Sequence, residues 1–354
     1  MFAKVSVIIP TFNRGPVLAG AIDSVLDQFF REIEVIVVDD GSTDRTREVV
    51  QERYGREPRV RYVYQANAGA SAARNAGLDL ATGAYIAFLD SDDAWKPWHL
   101  TLALAVLDRF PEAGLLWTQT EFVDAEGVVV SSSSLATLMS AYEYFPLDEL
   151  FACSSPLSDF EIELSEEARD RRVYVGDIFT PMVMGNLILT SSAVMRRERL
   201  ESVGRFDEGL TVGEDYEFFL RTCRAGPVAF ADIDDVRYRI GTKDKLGGRR
   251  SALAMARAYL AVLEATLARD KDRITLPVSL ISTARIHAYR WVGELELLAG
   301  SHRAARARFA DALRIRPAQP SLIGLFVLTF LPHSAFRLMV SSRHALMTLV
   351  HAWS

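Results

Sequence analysis

The sequence predicts an α/β domain built on a mostly parallel, Rossmann-like sheet, followed by an all-helical C-terminal extension. Three observations predict this class. Within the first 120 residues, short β-rich runs alternate with helical patterns, which is the signature of βαβ units. The β runs are nearly continuous in apolar residues, as strands covered on both faces are. From Ser251 onward the apolar residues recur only at helical spacing.

The elements follow in order. Val5 to Ile9 is the first strand. Pro16 then suits the first turn of a helix, where its missing N–H costs nothing, and Leu18, Ile22, Val25, Leu26 and Phe29 recur at helical spacing. Ile33 to Val38 is the second strand, and Ser42 is placed to cap a second helix over Asp44 to Arg53. Val60 to Tyr64 is the third strand, and a third helix from Gly69 to Ala81 stops at Gly83. Tyr85 to Leu89 is the fourth strand. A helix from Pro97 to Phe110, a strand from Leu115 to Val123 and a turn at Asp124 to Gly127 follow.

Residues 131–180 are Ser-rich and lose periodicity. The stretch is longer than an ordinary connection, which points to a functional loop or a lid. Order returns at Gly185 to Met195. Val228 to Ala231 and Val236 to Ile240 then read as a hairpin across Asp232 to Asp235. The charged run Lys243 to Arg250 marks a boundary, giving a domain over 1–248 and an extension over 249–354.

Composition bounds the function classes. The chain has 354 residues, enough for two domains, and 49% of them are hydrophobic. Its only cysteines, Cys153 and Cys223, exclude a disulfide scaffold, and no CxxC or paired Cys/His spacing supports structural zinc. With 40 Lys and Arg against 46 Asp and Glu, the net charge of -6 argues against a nucleic-acid binder. That average hides a split. Residues 301–354 carry seven Arg and one acid, Asp311, for +6, leaving 33 basic against 45 acidic residues and -12 in the first 300. The apolar run Val5 to Pro10 is too short for a secretory h-region, so the expected location is cytoplasmic.

Carboxylates gather at the C-terminal ends of the parallel strands, Asp39-Asp40 after the second and Asp90-Ser91-Asp92-Asp93 after the fourth. Ligands of open α/β sheets bind at those ends. Three Asp within four residues repel one another unless something positive is bound, and hard cations such as Mg²⁺ or Mn²⁺ take oxygen ligands. A cation bridging these carboxylates to a diphosphate is one reading. A solvated acidic turn capping the helix near Pro97 is the other.

Five ordered motifs carry a resemblance. Val5-Ser-Val-Ile-Ile-Pro-Thr-Phe-Asn-Arg14, Val37-Val-Asp-Asp-Gly-Ser-Thr-Asp44, Asn67-Ala-Gly-Ala-Ser-Ala-Ala-Arg-Asn75, Phe88-Leu-Asp-Ser-Asp-Asp93 and Gly213-Glu-Asp215 together resemble the family 2 glycosyltransferases of GT-A fold, over about residues 4–245. The resemblance implies an inverting transfer of a sugar from a nucleotide-sugar donor, a UDP-sugar first, to a glycan or lipid-linked acceptor in cell-surface polysaccharide or glycolipid assembly. It implies a divalent cation, Mg²⁺ or Mn²⁺, at Asp90, Asp92 and Asp93. Pro10, Thr11, Phe12, Asn13, Asp39, Asp40 and Ser91 would line the donor site with Asp90, and Arg74 would face the pyrophosphate. Asp215, with Glu214 beside it, would be the general base that takes the acceptor proton.

Other readings of these residues exist. Phe12 suits core packing, Asn13 suits a turn, and Asp215 suits a first-turn acid complementing a helix dipole. Phe88-Leu-Asp-Ser-Asp also fits a haloacid-dehalogenase-like phosphatase. That family, however, expects Thr or Val where Ala94 stands, and its nucleophile near the start of the domain. No GxGxxG follows the first strand, which removes a dinucleotide-binding Rossmann domain. A catalytically silent scaffold of the same fold is the reading from another class. His287-Ala-Tyr-Arg-Trp291 looks like the QxxRW of processive relatives, but it has His for Gln and lies in the helical part, so non-processive transfer is expected.

Leu295 to Pro317 resembles one tetratricopeptide-like helical hairpin, which cannot bury itself alone. Leu322 to Leu331 is an uninterrupted apolar piece of 10 residues, short of the roughly 20 that span a bilayer. With the arginines, it makes residues 318–354 a candidate for peripheral contact with the inner face of the cytoplasmic membrane. Packing of the apolar piece against the protein is the alternative.

Overall fold

The computed structural model describes residues 4–162, 168, 170–241, 251–332 and 336. The chain divides into two compact units, 1–243 and 244–354. The expected boundary at 248/249 lies outside the described residues.

The first unit is built on one mixed sheet. Its strands are β1 (Val5–Thr11), β2 (Ile33–Asp40), β3 (Val60–Gln65), β4 (Tyr85–Phe88), β5 (Ala94–Trp95), β6 (Leu115–Val123), β7 (Val129–Ser131), β8 (Cys153–Pro156), β9 (Arg172–Gly176), β10 (Val194–Arg196) and β11 (Val228–Arg239). They lie in the order β3-β2-β1-β4-β10-β6-β11-β9-β8, with β5 on β11 and β7 on β6. β1 runs parallel to β2 and β4, β2 to β3, and β6 to β11. β10 is the antiparallel strip between β4 and β6. The α/β class and the mostly parallel sheet are therefore as the sequence predicts. The register Thr11↔Asp39 puts the ends of β1 and β2 side by side.

Helices α1 (Gly15–Leu26), α2 (Thr46–Tyr54), α3 (Ala70–Leu80), α4 (His99–Arg109), α5 (Arg197–Val203) and α6 (Glu214–Arg224) accompany the sheet. Val5, Val7, Ile8, Ile9 and Val35 to Val38 are wholly enclosed, which explains why their runs carry no polar alternation. α3 lies so close to β1 that a Cβ on Gly77 would stand 2.5 Å from Ile8 Cγ2.

Four expectations are corrected. Val228 to Ile240 is no hairpin: β11 continues through Asp232 to Asp235, and register shifts against β6 absorb the extra residues as a bulge. Ser42 does not cap α2, because its hydroxyl accepts the Asn13 N–H; Asp44 accepts the Thr46 N–H instead. Gly83 is no helix stop, since α3 ends on the extended Ala81; a Cβ there would meet Lys4 O at 2.6 Å. Residues 131–180 are not one open loop, because β8 and β9 extend the sheet, and the Tyr142 hydroxyl accepts from Trp117 Nε1 and donates to Leu187 O.

The second unit is helical, with α7 (Ala252–Arg269), α8 (Val278–Leu298), α9 (His302–Ile315) and α10 (Pro320–Leu328). α8 and α9 form the expected hairpin around Gly300, whose φ of 82° lies in the left-handed region that glycine favours. Gly293 lets the Phe309 ring approach α8, and Ile286, Leu297, Ala305, Ala312 and Leu322 complete that core. α7 is tied to α8 through Arg257–Glu296 and Arg285–Glu264. Trp291 of the QxxRW-like segment stays partly exposed beside Tyr259, and Arg290 pairs with Glu294 one turn on. Among the described residues no helix is long and apolar enough to cross a membrane.

Candidate functional site

The site is assembled from loops at the C-terminal ends of β1, β2 and β4. Beyond β1, Thr11 is buried while the Phe12 ring is 47% exposed. Asn13 adopts φ 53°, a conformation that Asn tolerates better than most residues. Its N–H donates to Ser42 Oγ at 2.8 Å, and its Oδ1 accepts the Thr43 N–H at 2.8 Å. Asn13 is thus a turn former that staples the first loop to the second. Pro10, half-buried, precedes it, and Tyr64 stands exposed at the end of β3.

Asp39 and Asp40 are both buried, with different partners. Asp39 accepts from the Ser42 N–H and the Tyr62 hydroxyl. Asp40 accepts from Gln65 Nε2 at 2.7 Å, the Ala68 N–H at 2.9 Å and the Gly69 N–H at 2.8 Å. Its carboxylate therefore holds the loop that leads into α3.

The acidic turn after β4 also divides. Asp93 is enclosed: Ser191 Oγ donates to one oxygen at 2.6 Å and the Arg239 N–H to the other at 3.1 Å. The same Ser191 hydroxyl accepts the Asp90 N–H at 3.2 Å, and Ser91 is buried beside it. Asp92 is half-buried, and its carbonyl accepts from Arg239 Nε. Ser191 and Arg239 were not among the predicted site residues. They lie 98 and 146 positions from Asp93, and no local pattern announces them.

Arg74 joins two of the motifs. Its guanidinium donates to Asp90 Oδ1 at 2.9 Å and to Glu214 Oε1 at 2.8 Å, with a side chain only 7% exposed. Burial works against its charge, and Asp90 and Glu214 more than restore it, so Arg74 is held firmly protonated. The guanidinium also lies 5.4 Å from the centre of the Phe206 ring, which stacks on Phe218 of α6. Next to it, Asn75 pairs with both backbone groups of Phe206 and donates to Glu208. The Arg74-Asn75 pair thus sews α3 to the segment leading into α6.

Glu214 and Asp215 open α6 behind the left-handed Gly213, φ 77°. Asp215 accepts from the Tyr216 N–H, and Asn186 Nδ2 stands 3.4 Å from its Oδ2. Its carboxyl is pushed up to about 6. Burial is the main cause and the Glu214 charge the next, Asp90 adds to both, and the Tyr216 N–H and Arg74 pull the other way. A carboxyl poised this way is suited to take a proton near neutral pH.

Among the described residues no group of three or more His, Cys, Asp or Glu forms a ready cage for a metal. That still fits Mg²⁺ or Mn²⁺, which commonly uses one or two carboxylates, waters and substrate phosphates. With Asp93 enclosed, Asp92 and the partly exposed Asp90 are the carboxylates placed to do this.

Comparison with known proteins bears on the family and the fold. Residues 6–141 match the family described as glycosyl transferase family 2. An uncharacterized glycosyltransferase of Nostoc sp. is 38% identical over 132 residues, 37% of this chain and 41% of the relative. A chondroitin synthase of Escherichia coli is 36% identical over 128 residues, 36% of this chain and 19% of the relative. The matches therefore span less than half of these relatives' own lengths. Among solved structures, S. aureus TarS 1-349 in complex with UDP-GlcNAc has a TM-score of 0.52 at 18% identity, covering 94% of this chain and 91% of that one. The mannosyltransferase PcManGT of Pyrobaculum calidifontis, in complex with GDP-Man and Mn²⁺, has a TM-score of 0.53 at 18% identity, covering 99% and 86%. At that identity the two structures speak for the fold alone. The motifs of β1, β2, α3 and β4, the sheet order and the family match lead to one statement: residues 6–141 match glycosyl transferase family 2, and they lie in an α/β unit of GT-A fold.

Proposed function

We propose that the protein is an inverting, metal-dependent, non-processive glycosyltransferase that moves a sugar from a nucleotide-diphosphate sugar, a UDP-sugar first, to a glycan or lipid-linked acceptor. The observation that carries the reading is Arg74. Its two ion pairs bring Asp90, 16 positions away, and Glu214, 140 positions away, to one place beside Asp215. A donor cluster and a proton acceptor then share a single site.

In this reading Pro10, Thr11, Phe12 and Asp39 receive the nucleoside, with the exposed Phe12 ring as an apolar wall. Asn13 and Asp40 shape that pocket by fixing its loops. Asp92, with Asp90, would hold the cation, which when bound neutralises charge growing on the departing diphosphate. Asp93 and Ser91, both buried, keep the turn in shape. The acceptor hydroxyl attacks the anomeric carbon from the face opposite the diphosphate, and its proton passes to the Asp215 carboxylate as the C–O bond to the diphosphate breaks. A single carboxylate base and one displacement give inversion. Glu214 takes no proton in this scheme, because it is engaged with Arg74.

Several comparisons support sugar transfer from a nucleotide sugar, without reaching this chain's own substrates. TarS is described with UDP-GlcNAc, PcManGT with GDP-Man and Mn²⁺, and a relative is a chondroitin synthase. Surface polysaccharide or glycolipid assembly in the cytoplasm, where the acceptor meets the donor, is the proposed setting.

The test is a panel of nucleotide sugars with Mn²⁺, scored by released nucleoside diphosphate, on wild type and Asp215→Asn. Diphosphate release with a preferred donor, lost in Asp215→Asn while donor binding persists, is expected. Normal turnover by Asp215→Asn removes Asp215 from the base role. No binding of any nucleotide diphosphate by the wild type, measured by thermal shift, leaves the scaffold reading.

A further inference from the structure

α10 and the segment after it carry no charge from Pro320 to Leu331. Leu322 and Thr329 turn inward, and the opposite side is open: Ile323 is 43% exposed, Val327 57% and Phe330 60%. These three sit at i, i+4 and i+7, one continuous stripe on a helical surface. Single exposed apolar residues are ordinary, whereas a stripe of three large ones marks a surface that meets something.

Arginines frame the stripe. The Arg306 guanidinium lies 3.7 Å from the centre of the Phe330 ring, and its Nη2 donates to Thr329 O at 2.8 Å, which pins a cation at the C-terminal end of the stripe. Arg303, three positions earlier on α9, shares that side of the helix and is exposed. At the other end the carbonyl of the exposed Arg316 accepts from Gln319 Nε2 just before α10 begins. The sole acid of residues 301–354, Asp311, is occupied by Arg308 and Arg314. Within residues 301–354 the stripe and its rim are thus apolar and cationic, and the one acid is already paired.

We propose that the Ile323, Val327 and Phe330 face, with Arg303, Arg306 and Arg316 at its rim, docks on an anionic lipid surface. The apolar side chains enter the acyl boundary and the guanidiniums meet lipid phosphates, which an interfacial helix does and a spanning one does not. Charge selects this occupant over two others. A second copy would bring arginine rim against arginine rim in a two-fold contact. The chain's own residues 337–354 carry Arg337 and Arg343 and no acid, so they repeat the sign of the rim. The proposal does not depend on the transferase reading, and its failure leaves that reading standing.

The experiment is co-sedimentation of the full chain with vesicles of phosphatidylcholine alone or mixed with phosphatidylglycerol. Wild type is compared with the combined Ile323→Ser, Val327→Ser, Phe330→Ser variant and with Arg303→Gln, Arg316→Gln. All the substituted positions are exposed, and circular dichroism checks the fold. Wild type pelleting only with anionic vesicles, weakened by salt and by about tenfold or more in each variant, is the expected result. Absence of anionic preference, or unchanged binding by the apolar variant, overturns the proposal. So does a dimer in light scattering that the apolar variant dissolves, which would give the face to a second copy.

Discussion

Glu214 and Arg74 are 140 positions apart in sequence and 2.8 Å apart in the fold, and neither is open to water. Removing one partner of such a pair strands a charge in the interior. Arg74→Leu leaves Asp90 and Glu214 facing each other and should cost about 3–5 kcal/mol of stability, read by denaturant unfolding. Glu214→Gln keeps an acceptor for Arg74 but removes the like charge beside Asp215. Its acid-side rate limb should move to lower pH than that of the wild type.

Asp215 is itself a source of pH-dependent stability. Its folded carboxyl binds a proton more tightly than an unfolded one, so its stabilising contribution is full below about pH 4 and is lost as pH rises through about 6. Asp215→Asn escapes that loss. Calorimetry should show the variant gaining Tm relative to wild type at about pH 8 but not at about pH 4, while transfer is abolished. A stability difference that does not change with pH would contradict the raised carboxyl.

Asn186 offers an amide to Asp215 Oδ2 at 3.4 Å, a long contact that favours the ionised carboxylate. Asn186→Ala should shift the acid limb of kcat/KM upward by a fraction of a pH unit with little change in donor affinity. A profile superimposable on that of the wild type would show that the contact does nothing for the base.

The carboxylates of the acidic turn should separate by experiment. Asp92→Ala is expected to abolish Mn²⁺-dependent nucleotide binding. Asp93→Ala leaves the Ser191 hydroxyl and the Arg239 N–H without their acceptor and should lose about 1–3 kcal/mol of stability as well. Equal stabilities for the two variants would place Asp93 outside the scaffold.

Gly77 is where α3 touches β1. A methyl there meets Ile8 Cγ2 at 2.5 Å, so Gly77→Ala should destabilise by about 1–3 kcal/mol through overpacking. Because α3 also carries Arg74, activity measured well below Tm should fall too.

What could be read from sequence was what chemistry writes locally. Ile33 to Val38 followed by Asp39-Asp40, and Tyr85 to Leu89 followed by Asp90, announce a strand and its ligand-facing end within ten residues. Ser191 and Arg239 could not be read, because they meet Asp93 only after β10 and β11 are laid into the sheet. Asp232 to Asp235 imitates a turn because three aspartates within four residues interrupt two β runs. Asp235 is instead buried against His99 and Thr118, so the strand goes through. Ser42 looks like a cap until the folded neighbour Asn13 claims its hydroxyl. β8 escaped notice because Cys153-Ser-Ser-Pro156 has no apolar run, and β9 because it is short and its neighbour β11 lies 52 positions on, at Gly176↔Val228.

β10 is three residues long, yet among the described strands it alone joins β4 to β6. The stretch that matches the family, 6–141, ends well before it. A fragment cut at that point would keep every recognisable motif up to Asp93 and still lack the strip that unites the two halves of its sheet, as well as Ser191 and Asp215. Grafting donor preference between relatives by exchanging the matched stretch alone would therefore cut through the middle of the sheet. The smallest portion that can be transplanted whole reaches to the end of β11.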